Sequence, residues 1–243
     1  MKKTMFLIFA IFSFSFSNDF NTATEAYQKG DYKKALRHFN ISCNQNNAVS
    51  CDALGLIYDE GIIVKQNSLE AFKFFNKACN LGNIQSCYDL GVMYNEGTTV
   101  KQDYSEAFRY FELSCKNGLA TGCYNAGVLY YEGKGTELNY YKSSKYYKLA
   151  CDNKLAIGCY NLALLYVNGQ GVQKNYEEAF KYSKLGCDWK NAESCTLIGV
   201  LYAGGLGVAK DYSKAKKYHY QGCNLGSNMS CNEYNKLNEY GVK

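Results

Sequence analysis

Proline is missing altogether from the 243 residues, so no helix in this chain is broken by a lost backbone donor or a ring clash. Histidine occurs twice, at His38 and His219, and no Cys-x-x-Cys is present, which argues against a zinc site. No metal or other cofactor is expected. No apolar run is long enough to span a membrane. Lys-Thr-Gly, Ser-Asp-Asn, Gly-x-Ser-x-Gly and His-Glu-x-x-His are all absent, and with them the usual constellations for acyl-enzyme and metal-assisted hydrolysis. A large charge excess is absent too. The net charge of +5 falls to about +3 without Lys2 and Lys3, too mild to argue for nucleic acid.

What the chain does have is cysteine, twelve in all, on a strict rule. Cys43 and Cys51 lie eight positions apart. The pair returns as Cys79/Cys87, Cys115/Cys123, Cys151/Cys159, Cys187/Cys195 and Cys223/Cys231, every 36 residues. A period of this length marks a repeat array.

The N-terminus reads as an export signal. Lys2-Lys3 precede an apolar run from Met5 to Phe16, and small Ser15 and Ser17 follow the pattern of a cleavage site. We expect a signal peptide over 1–17 and a single repeat domain over 18–243. No cysteine stands between the apolar run and Cys43, so a lipid anchor is not expected. A secreted or periplasmic chain meets oxidising conditions, where evenly paired cysteines become disulfides.

Each unit reads as a helical hairpin. Asn67, Asp103, Asn139, Asn175 and Asp211 are placed as N-caps. Glu70, Glu106 and Glu178 follow three residues later as capping boxes, which Lys142 and Lys214 break. The first helix then carries Ala71, Phe74, Phe75 and Ala78 on one face. The second carries Leu90-Gly91-x-x-Tyr94 and stops at Gly97, with Gly61, Gly133, Gly169 and Gly205 in the same place. Gly55, Gly91, Gly127, Ala163 and Gly199 recur in mid-helix, implying close approach of a neighbour at every repeat. The columns Phe39, Phe75, Phe111, Tyr147 and Tyr58, Tyr94, Tyr130, Tyr166, Tyr202 read as core. The units run over about 31–66, 67–102, 103–138, 139–174, 175–210 and 211–243, the last with a polar cap helix that would block end-to-end association; a monomer is expected. The fold class is all-α, a right-handed α/α solenoid.

Twelve cysteines can pair in many ways, but here one ends a helix and the next lies just across a tight turn. We therefore predict Cys43–Cys51, Cys79–Cys87, Cys115–Cys123, Cys151–Cys159, Cys187–Cys195 and Cys223–Cys231. Each closed loop is worth about 2.6 kcal/mol on the chain-entropy estimate.

Leu90-Gly91-x-x-Tyr94, Gly97, Asp103, Ala107, Phe111 and Ser114 on this period resemble the Sel-one-like repeat, a relative of the tetratricopeptide repeat. With Cys-x7-Cys in each unit, the chain is similar to the Helicobacter cysteine-rich protein family. Ala163, Ser143, Ser183 and His219 depart from the pattern. The resemblance implies two functions of different class. One is a scaffold that binds a protein or peptide in a concave groove. The other is slow β-lactamase or penicillin-binding activity on β-lactams or cell-wall fragments, which leaves enzyme status open.

If the Leu-Gly-x-x-Tyr helices line the groove, Asp52, Tyr88, Tyr124, Tyr160 and Thr196 form a stripe along it, with Asp89, Asn125 and Asn161 beside them. Tyrosine gives area with a polar end, and Asn can satisfy a peptide backbone. For catalysis the sequence offers one Ser-x-x-Lys, Ser213 with Lys216, which chance alone would supply. Arg37, Lys73, Arg109, Lys145, Lys181 and Lys217 form a row read as a solvated face.

Overall fold

The computed structural model describes residues 18–242, and the signal expected over 1–17 lies outside the described residues. Among the described residues the regular structure is helical throughout. Contacts divide the chain after Gly82. The first unit holds α1 (Asn18–Gln28), α2 (Tyr32–Asn44), α3 (Ala48–Glu60) and α4 (Ser68–Asn80). The second holds α5 (Ile84–Glu96), α6 (Tyr104–Lys116), α7 (Ala120–Glu132), α8 (Tyr140–Asp152), α9 (Ala156–Asn168), α10 (Tyr176–Asp188), α11 (Ala192–Gly204), α12 (Tyr212–Asn224) and α13 (Asn228–Glu239).

The expected caps, joined by Asp31 before α2, start the even-numbered helices. Asp31, Asn67, Asp103, Asn139, Asn175 and Asp211 each accept a backbone N–H of the first turn. The capping boxes take another form. The N–H groups of Asn67, Asp103 and Asn175 donate to the carbonyls of Tyr58, Tyr94 and Tyr166. Glu70, Glu106 and Glu178 instead pair forward with Lys73, Arg109 and Lys181, one turn on. The tyrosine that closes one hairpin thus sets the start of the next.

Within the second unit the two helices of a hairpin are joined by three residues, as in Asn117-Gly118-Leu119. The N–H of Gly118 donates to Cys115 O and that of Leu119 to Ser114 O, the paired bonds of a Schellman turn. The residue that ends this motif is also the N-cap position of the next helix. Asn191 and Ser227 use their side chains there, whereas Leu119 and Leu155 make no side-chain cap bond. Leu155 packs instead on the cluster of Cys115, Cys123 and Ala150.

This turn sets the two cysteines side by side. Cys43–Cys51, Cys115–Cys123, Cys151–Cys159, Cys187–Cys195 and Cys223–Cys231 are bridged, with Cα separations from 4.4 Å to 4.8 Å. Cys79 and Cys87 are each disulfide-bonded as well. Among the described residues no cysteine is free. The residues just before each bridged pair are small for a reason. A Cβ on Gly122 would lie 2.7 Å from that of Ser114, and one on Gly158 would lie 2.7 Å from that of Ala150. Where both positions are serine, Ser42 and Ser50, their hydroxyls bond at 2.8 Å.

The mid-helix glycines lie under the rings of the aromatic column. A Cβ on Gly55 would meet Phe75 at 2.5 Å, on Gly91 it would meet Phe111 at 2.7 Å, and on Gly127 it would meet Tyr147 at 2.8 Å. The departures from the repeat pattern are therefore coupled. The same spacing of twenty residues joins Ala163 to Ser183, so glycine is lost where the ring is lost. Both residues are fully buried, and Ser183 Oγ has no hydrogen-bond partner among the described residues. Ser143, the other departure, donates its hydroxyl to Gly127 O at 2.9 Å.

His219 replaces the column ring in the last hairpin. It is buried over Gly199, with Nδ1 3.4 Å from Ser230 Oγ. Burial holds its imidazole below the ordinary value of 6.5, and Glu233 opposes this more weakly. The unfolded chain takes a proton near pH 6.5 that the folded ring resists. Stability is therefore full above that pH and is lost as pH falls below it.

Two outcomes follow for stability. Gly91→Ala should destabilise by about 1–3 kcal/mol through overpacking against Phe111. In a Phe111→Ser background the same change should stabilise by about 1 kcal/mol through helix propensity; urea unfolding of the four proteins would check the change of sign. His219→Phe should flatten the fall of the melting temperature below pH 6.5, measured against the parent protein across the same buffers.

Candidate functional site

An open cleft of about 400 Å³ lies between α5 and α7. Its walls come from one face of each helix. Tyr88, Val92, Asn95 and Glu96 follow one another at turn spacing on α5, and Asn125, Val128, Leu129 and Glu132 do so on α7. Tyr104 and Phe111 of α6 contribute aromatic surface, and Lys134 stands in the loop after α7.

The polar groups are held in place. Tyr88 packs its ring on Phe111 at 5.6 Å, and its hydroxyl accepts from Asn125 Nδ2 at 3.2 Å. Lys134 bonds Glu132 at 2.8 Å, and its ammonium lies 5.6 Å from the centre of the Tyr104 ring. The contact with Glu132 raises the lysine above its ordinary value, so it carries full charge. Glu96 is exposed at the rim. The cleft thus joins an apolar floor, an amide–hydroxyl pair and carboxylates.

Of the residues expected in the binding stripe, Tyr88 and Asn125 meet here. Asp89 is nearly buried and accepts from Gln85 Nε2 at 3.2 Å. Thr196 is also buried, 2.6 Å from Ser230 Oγ. Tyr124 lies half-buried against Tyr147 at 5.8 Å. Tyr160 and Asn161 are half-buried on α9, where burial and Glu193 push the Tyr160 phenol up. Asp52 lies on α3 of the first unit, half-buried. Sequence reasoning missed Val92, Asn95, Glu96, Val128, Leu129, Glu132, Tyr104 and Lys134. All but the last two follow from Tyr88 and Asn125 by steps of three, four or seven along a helix, a signal that was available.

The basic row is exposed as expected at Arg37, Lys73, Arg109, Lys145, Lys181 and Lys217. Much of its charge is answered locally: besides the three glutamate pairs, Arg109 stacks 4.1 Å over Tyr110 and Lys145 4.3 Å over Tyr141.

Ser213 is exposed in the first turn of α12. Lys216 turns away to the C-terminal segment, donating to the Val242 carbonyl and lying 5.9 Å over Tyr234. Among the described residues no group of three or more His, Cys, Asp and Glu side chains is gathered for a metal.

Helical hairpins with glycine-ended second helices, repeated at 36 residues, define a Sel1-type repeat protein. The Sel1 repeat profile matches residues 20–47, 48–83, 84–119, 120–155, 156–188 and 192–227, and the chain belongs to this family. It is similar to c5321, a protective antigen present in uropathogenic Escherichia coli strains with an SLR fold. That likeness has 25% identity and a TM-score of 0.88, over 92% of this chain and 49% of that one. A Sel1 repeat protein from Oxalobacter formigenes shares the fold with 23% identity and a TM-score of 0.80, over 93% and 90% of the two chains. HcpD of Helicobacter pylori, whose name refers to a β-lactamase, is 44% identical over 48 residues. That match spans 20% of this chain and 16% of HcpD. The chain is therefore a disulfide-stapled Sel1 repeat scaffold, an α-helical repeat solenoid. Its oxidised cysteines suit an extracytoplasmic compartment.

If the purified, oxidised protein hydrolyses nitrocefin at all, Ser213→Ala should leave the rate unchanged, since Lys216 is engaged elsewhere; an absorbance time course of the two proteins would check this.

Proposed function

We propose that the chain is an exported binding scaffold that holds a segment of a protein or peptide along its second helices, which form the concave face of the array. The α5–α7 cleft is the principal seat. The observation that carries this reading is the Tyr88–Asn125 hydrogen bond at 3.2 Å over an apolar floor. A hydroxyl and an amide held in this way offer donors and acceptors to an extended backbone, while Val92, Val128 and Leu129 take a side chain. Tyr124, Tyr160 and Asn161 continue the same surface on later helices. Export through residues 1–17 fits the cysteine pairing, because thiols this regularly placed would stay reduced in the cytosol.

β-Lactam chemistry, which the name of HcpD raises, reaches this chain through a match over one fifth of its length. Ser213, the candidate from the sequence, is exposed while Lys216 is bonded elsewhere, and the Ser230 hydroxyl beside His219 is buried out of a substrate's reach. The binding reading is therefore preferred.

Peptides selected by display against the oxidised protein should bind the parent chain. Tyr88→Ala should weaken them about tenfold or more, as truncation of a central aromatic anchor does, and Asn125→Ala by a smaller factor. Lys145→Ala, on the basic row, should have no effect. Fluorescence anisotropy of a labelled selected peptide would measure all four. Equal affinity of the parent and Tyr88→Ala proteins would overturn the assignment of the cleft.

A further inference from the structure

Basic residues are unevenly shared between the two kinds of helix in the second unit. α5, α7, α9 and α11 carry Asp89, Glu96, Glu132 and Glu193 and not one Lys or Arg. α6, α8, α10 and α12 carry ten Lys and Arg residues beside six Asp and Glu, and α13, the last second helix, carries Lys236 with Glu233 and Glu239. The two helices that form the long walls of the cleft, α5 and α7, thus carry carboxylates and no Lys or Arg. Among the described residues that line it, Lys134 is the sole cation, and it comes from a loop.

Lys134 shows what the cleft can hold. Its ammonium is bonded to Glu132 at 2.8 Å and rests against the face of Tyr104 at 5.6 Å. Carboxylate plus aromatic face is the chemistry that receives a cationic side chain. Both Lys134 and Glu132 remain about half exposed, so their contact is open to exchange with a cation of another molecule. Glu96 adds a second carboxylate to the same cleft. Lysine here is a feature of this repeat alone: the equivalent positions are Ile62, Thr98, Gln170 and Leu206.

We infer that the cleft recognises a basic segment of a protein partner, one Lys or Arg head displacing Lys134 from Glu132 and lying between Glu132 and Glu96. Lys134 is then a tethered competitor, holding the site closed to weak ligands. This rests on the binding reading above and narrows it to one class of partner.

The test uses the full oxidised chain and a random dodecapeptide display library, with anisotropy of labelled selected peptides. Selected peptides should be enriched in Lys and Arg. Glu96→Gln and Glu132→Gln should each weaken them about twofold to fivefold, the worth of an exposed ion pair. Lys134→Ala should tighten them by a similar factor, and added salt should weaken them. Lys134 is exposed in a loop, so its replacement should leave the melting curve unchanged. Selection of neutral or acidic peptides, or weaker binding by Lys134→Ala, would overturn the basic class and leave the scaffold reading standing. Failure to select any peptide would remove the scaffold reading itself.

Discussion

The close approach of two helices across a three-residue turn is the constraint on which the rest of this structure depends. The Schellman turn fixes the register, and small residues on both sides let the backbones meet. Ser114 faces Gly122, and Ala150 faces Gly158. Only then do two cysteines eight positions apart reach the 4.4–4.8 Å Cα separation seen in these bridges. The disulfide does not create the hairpin; it locks a geometry that turn and packing have already produced. Because each loop is short, the lock acts within one repeat and leaves the stacking of hairpins to side chains.

Stacking rests on a second recurring contact, the aromatic ring laid over a helix glycine. This explains why the glycine tolerates its cost of about 1 kcal/mol against alanine. It also explains why Ala163 coexists with Ser183 and why Gly199 is kept under His219. The aromatic ladder extends outward as near-parallel pairs: Tyr94–Tyr110, Tyr130–Tyr146, Tyr166–Tyr182 and Tyr202–Tyr218, with centroids 5.7–5.8 Å apart. The first tyrosine of each pair also lends its backbone carbonyl to the N-cap residue that follows. One residue therefore serves ring packing and helix initiation together.

Most of this frame was legible in the sequence, since the period repeats each signal and noise does not repeat. N-caps, glycine stops, cysteine partners and the two aromatic columns all came from position-equivalent residues. The pairing of Glu70, Glu106 and Glu178 did not. A glutamate three residues after a cap can reach back or forward, and the choice depends on whether the cap's own N–H has another acceptor. Here it has one in the tyrosine carbonyl, contributed from nine residues upstream. The coupling of Ala163 to Ser183 was hidden for a like reason: each departure was visible, but it is the glycine–ring contacts of the other repeats that show positions twenty apart to face one another.

The candidate site was half legible, and the division follows from the packing. On α5 the positions of Cys87, Leu90 and Gly91 are dictated by bridge, core and ring, and they repeat along the chain. Tyr88, Val92, Asn95 and Glu96 lie on the turn-spaced stripe that faces the cleft, Tyr88 and Val92 packing on the core as well. At the last two of these positions the repeats disagree: Asn95 is followed by Tyr131, Val167 and Ala203, and Glu96 by Glu132, Asn168 and Gly204. Periodicity finds what the fold requires, and so it passes over residues whose value lies in being different. In a repeat scaffold those are the residues through which one hairpin can be told from another, and Lys134, with no basic counterpart in any other repeat, is the clearest of them.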